Sequence, residues 1–164
     1  MKKIFLSGKN GEGKYAIVDN DDFEKVSRLS WWYSKGYACH TQHIKVDDNG
    51  KQIQKTIWMH RLVAGTPDGL FTDHINTDRL DNRKSNLRVV TLAQNNCNLP
   101  LRKTNKSGFK GVYWDKTRSK WFAYIRHNKV MYALGRYDNK IDAALAYNRS
   151  AIKLHKEYAR LNNV

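Results

Sequence analysis

A histidine beside an aspartate, Asp73-His74, opens the stretch of this chain that is richest in chemistry. The run continues through Asn76, Asp78, Arg79, Asp81, Asn82, Arg83, Asn86 and Arg88, and Asn95 follows nine residues beyond Asn86. A carboxylate with an amide oxygen suits a hard divalent ion such as Mg²⁺ or Mn²⁺. A histidine that is not itself a ligand can take a proton from water near neutral pH. Arginines around them suit a phosphate-rich substrate. These are the parts needed to hydrolyse a phosphodiester. One geometric demand follows. Neighbouring strand residues point to opposite faces, so Asp73 and His74 can share a site only at a bulge or a strand end.

His60-Arg61-Leu62-Val63-Ala64, Asp73-His74-Ile75-Asn76, Asp81-Asn82-Arg83 and Asn86-Leu87-Arg88 recur in an order that resembles an HNH endonuclease of the homing or phage type. The resemblance covers residues 57–98, and Tyr15–Asp19, Trp31-Trp32 and Gly36-Tyr37-Ala38 resemble the leader of such enzymes more weakly. It implies a ββα-metal (His-Me finger) core in which His74 is the general base. Asp73 and Asn95 would be the metal ligands, with Asn96 as the neighbouring alternative to Asn95. Asn86 would hold the loop that positions His74, and His60 would orient the scissile phosphate or be structural. Arg83 and Arg88 would contact phosphate or lie as solvated loop charges. The implied products carry 5′ phosphate and 3′ hydroxyl. Cys39 and Cys97, the two cysteines, cannot build the structural zinc site of some relatives, so none is expected.

The formal charge of +15 over 164 residues implies a polyanionic partner, most simply double-stranded DNA. A basic membrane-surface protein is the competing class. No apolar run approaches the roughly 20 residues of a membrane span. Only three apolar residues follow Met1-Lys2-Lys3, too few for a secretory signal. The low cysteine content fits a reducing, intracellular setting, as in the host cell of a phage or mobile element. The charge is uneven. Residues 1–100 hold 15 basic against 11 acidic residues, a net of +4, and residues 101–164 hold 15 against 4, a net of +11. The two parts are therefore expected to do different work.

The elements that must position these groups follow from period and punctuation. Residues 1–57 read as a β-rich N-terminal part, with strands at 14–19 and 36–43, a short helix at 21–29 and a hairpin turn at Asp47-Asp48-Asn49-Gly50. Trp31, Trp32, Tyr33 and Tyr37 read as a small core. Residues 58–100 read as the nuclease core, with a helix at 59–64, a turn at Thr66–Gly69, strands at 71–76 and 87–91, and a helix at 91–98 capped by Thr91. Pro100 stops that helix, and residues 101–107 form a basic linker.

Residues 108–164 read as strands at 108–114, 120–127 and 130–137 and a helix to about His155, capped by Asp138 or Asn139. Ile141, Ala144, Leu145, Ala151 and Ile152 fit one helical face. Gly108-Phe109-Lys110-Gly111-Val112, Lys120–Ile125, Leu134-Gly135-Arg136-Tyr137 and Ala143–Asn148 resemble the Apetala/ethylene-response-factor DNA-binding domain. That family lays a three-stranded sheet into the major groove. Carried over, Lys110, Tyr113, Tyr124 and Arg126 share the exposed face, and His127 and Lys129 touch phosphate at a turn. Trp121 packs between sheet and helix, while Trp114 and Tyr132 are core or groove contacts. Only Arg126 has the fork geometry suited to guanine.

The whole is an α+β chain: a ββα-metal nuclease with a β-rich leader, then a three-stranded antiparallel sheet packed on one helix. The expected activity is a metal-dependent, homing-type DNA endonuclease acting as a monomer or weak dimer. A non-catalytic DNA-binding regulator and a structure-specific nuclease are the alternatives.

Overall fold

The computed structural model describes residues 1–164, which divide into two compact units, Met1–Thr91 and Leu92–Val164. The fold is mixed α/β, with small antiparallel sheets and few helices.

In the first unit, β1 (Lys2–Phe5) pairs antiparallel with β2 (Tyr15–Val18). Alternation sends Ala16 and Val18 inward while Tyr15 and Ile17 stay half-buried. Helix α1 (Asn20–Ser27) adds Val26 to the same core, and the Trp31 indole closes it by donating to the Val26 carbonyl at 2.7 Å. Trp31 is the one buried member of the expected aromatic core; Trp32, Tyr33 and Tyr37 are half-buried.

β3 (Trp32–Ser34), β4 (Tyr37–Val46) and β5 (Gln52–Trp58) form a meander. Lys35 and Gly36, both at positive φ, make its first turn, and the Asp47 carboxylate closes the second by accepting from the amides of Asn49 and Lys51. α2 (Met59–Ala64) follows at the bounds the sequence predicts, and Gly65 ends it in the left-handed conformation. β6 (Phe71–His74) and β7 (Leu87–Val90) form a two-stranded antiparallel ribbon. β6 is shorter than the expected strand at 71–76. A turn follows at once: the Thr77 amide bonds to the His74 carbonyl, and Thr77 has φ 67°. Met59, Val63 and Leu87 join Ile4, Leu6, Val18 and Trp31 in one core.

The second unit begins with α3 (Leu92–Asn98), which follows β7 in the chain. β8 (Val112–Asp115), β9 (Lys120–His127) and β10 (Val130–Tyr137) form an antiparallel sheet with β9 central, and α4 (Lys140–His155) covers one face. β8 starts four residues later than expected. Residues 105–109 are instead held as a turn, in which the Ser107 hydroxyl and the Asn105 amide bond to backbone carbonyls. Asn139 is the N-cap of α4, its side chain accepting from the Ile141 amide.

The buried face of α4 agrees with the expected one at Ala144 and Ala151 and differs from it at Ile141, Leu145 and Ile152. Ala143, Ala144, Ala146, Tyr147 and Ala151 face the sheet, while Ile141, Leu145 and Ile152 are exposed. Alanines let the helix axis approach β9 closely, which turns the larger aliphatic residues outward. No helix is long and apolar enough to cross a membrane.

Candidate functional site

Asp73 and His74 are the last two residues of β6. The ladder runs without a bulge from Phe71↔Val90 to His74↔Leu87, and His74 is the last strand residue. Both side chains are buried. Asp73 lies directly across from Arg88, which donates Nε and Nη2 to Asp73 Oδ2 at 2.9 and 2.7 Å. Cross-strand pairing thus makes Arg88 the partner of Asp73 rather than a solvated charge.

His74 Nε2 lies 3.2 Å from Asn82 Oδ1. The Asn82 amide nitrogen is turned away, toward the Leu80 carbonyl and the Met59 sulfur, which fixes the oxygen toward His74. Nε2 therefore carries the proton and donates it, and Nδ1 is the nitrogen with a basic lone pair. Burial pushes the His74 pKa below its ordinary value, against the opposing pull of the Asn82 bond and of Asp73. The ring is consequently neutral in the physiological range.

His60, the second residue of α2, packs edge-on against His74 with ring centroids 5.2 Å apart. Tyr37 from β4 touches both rings, at 4.9 Å from His60 and 6.0 Å from His74. Burial, reinforced by His74, Arg61 and Arg79, drives the His60 pKa down to about 3. His60 Nδ1 is buried without a hydrogen-bond partner. Arg61 next to it is occupied with the carbonyls of Leu70, Thr66 and Pro67.

Asn86 spans the loop between β6 and β7. Its Oδ1 accepts from the Asn76 amide at 3.0 Å and its Nδ2 donates to the Asp81 carbonyl at 2.8 Å. The loop is further set by a short parallel bridge between Asp81 and Ile17 of β2. Arg83 forks onto both oxygens of Asp81 at 2.7 and 2.6 Å, holding that carboxyl below the usual carboxylate range. Arg83, like Arg88, is thus paired with a carboxylate. Asn95 and Asn96 lie on α3 in the second unit, Asn95 half-buried and Asn96 exposed.

The second unit presents a separate candidate face. Register places Tyr113, Phe122, Tyr124, Arg126, Met131 and Arg136 on the side of the sheet away from α4. Phe122 and Tyr124 lie nearly parallel, and the Arg136 guanidinium sits 4.8 Å over Phe122 while its Nε bonds Asp115. Sequence reasoning missed Arg136, because a register shift between Ala133 and Gly135 breaks the alternation along β10 that would have placed it.

Lys110 does not join this face. It precedes β8, and its ammonium bonds the carbonyls of Cys97 at 2.6 Å and Leu99 at 3.0 Å. Burial lowers its pKa to about 8. Lys129 is exposed at the β9–β10 turn with φ 67°, whereas the His127 ring packs toward His155. Trp121 packs on the sheet–helix core, while Trp114 and Tyr132 are largely exposed.

Comparison with known proteins places this geometry. Residues 54–97 match the HNH endonuclease family. An uncharacterized HNH endonuclease of Acanthamoeba polyphaga mimivirus is 27% identical over 155 residues, spanning 94% of this chain and 78% of the relative. Protein 3.8 of Escherichia phage T7 is 31% identical over 94 residues, spanning 57% of this chain and 77% of the relative. No solved structure matches. The matched segment runs from β5 through α3 and includes His60, Asp73, His74, Asn86 and Asn95, so the chain belongs to the HNH endonuclease family.

Proposed function

We propose that the protein is a divalent-metal-dependent endonuclease that hydrolyses phosphodiester bonds in duplex DNA, of the homing type, with the second unit binding the target through its open sheet face. The observation that supports the catalytic part is the setting of His74: buried at the end of β6, its pKa pushed down by burial, with Nε2 facing the Asn82 amide oxygen at 3.2 Å. His74 Nδ1 takes the proton from the attacking water. A positioned general base contributes about 10²–10⁴-fold in rate. Asn82 holds the tautomer and Asn86 holds the loop that carries Asn82.

The donor chemistry fits a hard cation. By the family resemblance Asp73 would supply a carboxylate and Asn95 a neutral amide oxygen, donor types that favour Mg²⁺ or Mn²⁺ over Zn²⁺. These two residues would hold the ion, which when bound neutralises charge developing on the leaving 3′ oxygen. Arg88 aims Asp73 through its fork. Asn96, exposed on the same helix, is assigned no ligand role. Tyr113, Tyr124, Arg126 and Lys129 would contact the duplex. The family's ββα-metal arrangement and a fold of the Apetala/ethylene-response-factor type for residues 108–164 are part of this proposal.

The test is cleavage of linear and branched duplexes with Mg²⁺, with Mn²⁺ and with chelator. The expected result is cutting of linear duplex that requires the ion. Binding without cutting under every condition would favour a regulator, and cutting confined to branched DNA would favour a structure-specific nuclease.

A further inference from the structure

Three arginines lie on or beside the β6–β7 loop, and two are consumed: Arg83 by Asp81 and Arg88 by Asp73. Arg79 is different. It is exposed and its guanidinium lies 4.6 Å over the Tyr37 ring, the ring that touches both His60 and His74. One nitrogen, Nη1, donates to the Lys35 carbonyl at 3.0 Å, which anchors the fork by one end. The backbone on both sides is shaped to admit it. Gly36 has φ +94°, and a Cβ there would stand 3.1 Å from Arg79 Cδ and 3.2 Å from Nη1. On its own loop, Asp78 accepts from the Leu80 amide and the Asn76 side chain accepts from the Asp78 amide, so the segment carrying Arg79 is ordered. Arg79 also adds to the positive potential that keeps His60 neutral.

We propose that Arg79 is a phosphate-binding residue of the active site, gripping a phosphate of the strand being cut and setting it against His74. The inference rests on the endonuclease reading. A guanidinium stacked on an aromatic face and bonded through one nitrogen keeps its other donors in a fixed plane. That is the arrangement that recognises a phosphate through two parallel hydrogen bonds. Tyr37 is thereby a positioning residue, linking the guanidinium to the histidine pair. Lysine cannot replace this geometry, because an ammonium lacks the planar fork.

The experiment measures single-turnover cleavage of duplex DNA, duplex affinity and thermal melting for the wild type, Arg79→Ala, Arg79→Lys and His74→Ala. Arg79→Ala is expected to cut about 10²-fold more slowly, with melting near wild type and duplex affinity reduced only by about the loss of one phosphate contact, far less than the rate. Arg79→Lys should recover little of the loss. Guanidinium ion at sub-denaturing concentration should restore cutting by Arg79→Ala, and sodium chloride at the same ionic strength should not. Rescue of this kind reports a missing functional group, which a loosened loop would not show. Wild-type rates from Arg79→Ala alongside a dead His74→Ala would overturn this proposal and leave the nuclease reading standing. A slow Arg79→Ala that guanidinium fails to rescue would also overturn it, assigning Arg79 a purely structural role. A wild type that cuts no DNA would overturn both.

Discussion

At the scale of single residues, the proposed catalysis turns on Asn82, whose amide oxygen faces His74 Nε2 at 3.2 Å. Replacing the amide oxygen by a full negative charge should change the protonation of His74 measurably. In Asn82→Asp the carboxylate would stabilise the imidazolium and raise the His74 pKa. The acid limb of the pH–rate profile should therefore move to higher pH, with the maximal rate largely kept. An unmoved limb would mean that His74 is not the group titrating. His60 offers an independent check through stability. Its pKa falls from 6.5 to about 3 on folding, so the unfolded chain binds more protons between those values. The stabilising contribution is complete above pH 6.5 and is lost progressively as pH falls toward 3. Denaturant unfolding should show stability falling with acidification at up to about 1.4 kcal/mol per pH unit. His60→Gln should flatten that slope.

At the scale of elements, much was legible in the sequence where one periodicity dominated. The helix at 59–64 and the strands at 120–127 and 130–137 occupy the expected residues, because turn residues bound them on both sides. β1 gave no such signal: of its four residues only Ile4 is buried, so its alternation is too short to read. The face of α4 was read correctly at Ala144 and Ala151 and misread at its larger residues, for a physical reason. Hydrophobicity alone favours burying Ile141, Leu145 and Ile152, but close approach to the sheet favours the alanines. The same close approach explains Gly111. A Cβ there would fall 2.2 Å from the Tyr147 ring and 2.4 Å from the Tyr124 carbonyl, at a backbone φ of +72°. Gly111→Ala should destabilise the second unit by about 2 kcal/mol or more, read as a drop in melting temperature, whereas Gly50→Ala, with open space around it, should cost less. Of the site, the residue types were legible; the strand was expected to run to Asn76, and its end at His74 was not. The tautomer-fixing bond of Asn82 and the carboxylate partners of Arg83 and Arg88 were not, since they depend on loop geometry and cross-strand register.

At the scale of the whole molecule, the charge is unevenly divided. The acidic groups gather in residues 1–100, and a net of +11 sits in residues 101–164. Duplex affinity of the intact protein should fall steeply with salt, each neutralised phosphate contributing about −0.9 to the slope of log K against log salt. Arg126→Ala tells grip from reading. A lost base contact should cost about 1–3 kcal/mol and relax preference at one position. A lost phosphate contact should weaken all sequences alike and reduce the slope by about one.

The claim on which the rest depends is that His74 is the base of a DNA-cutting reaction, and it is tested most directly by one comparison. Cleavage rate and duplex affinity are measured side by side for the wild type and His74→Ala in the presence of Mg²⁺. The account predicts a rate lower by about 10²–10⁴-fold with affinity nearly unchanged, because binding resides mainly in the basic second unit. Cutting by His74→Ala at the wild-type rate would contradict it.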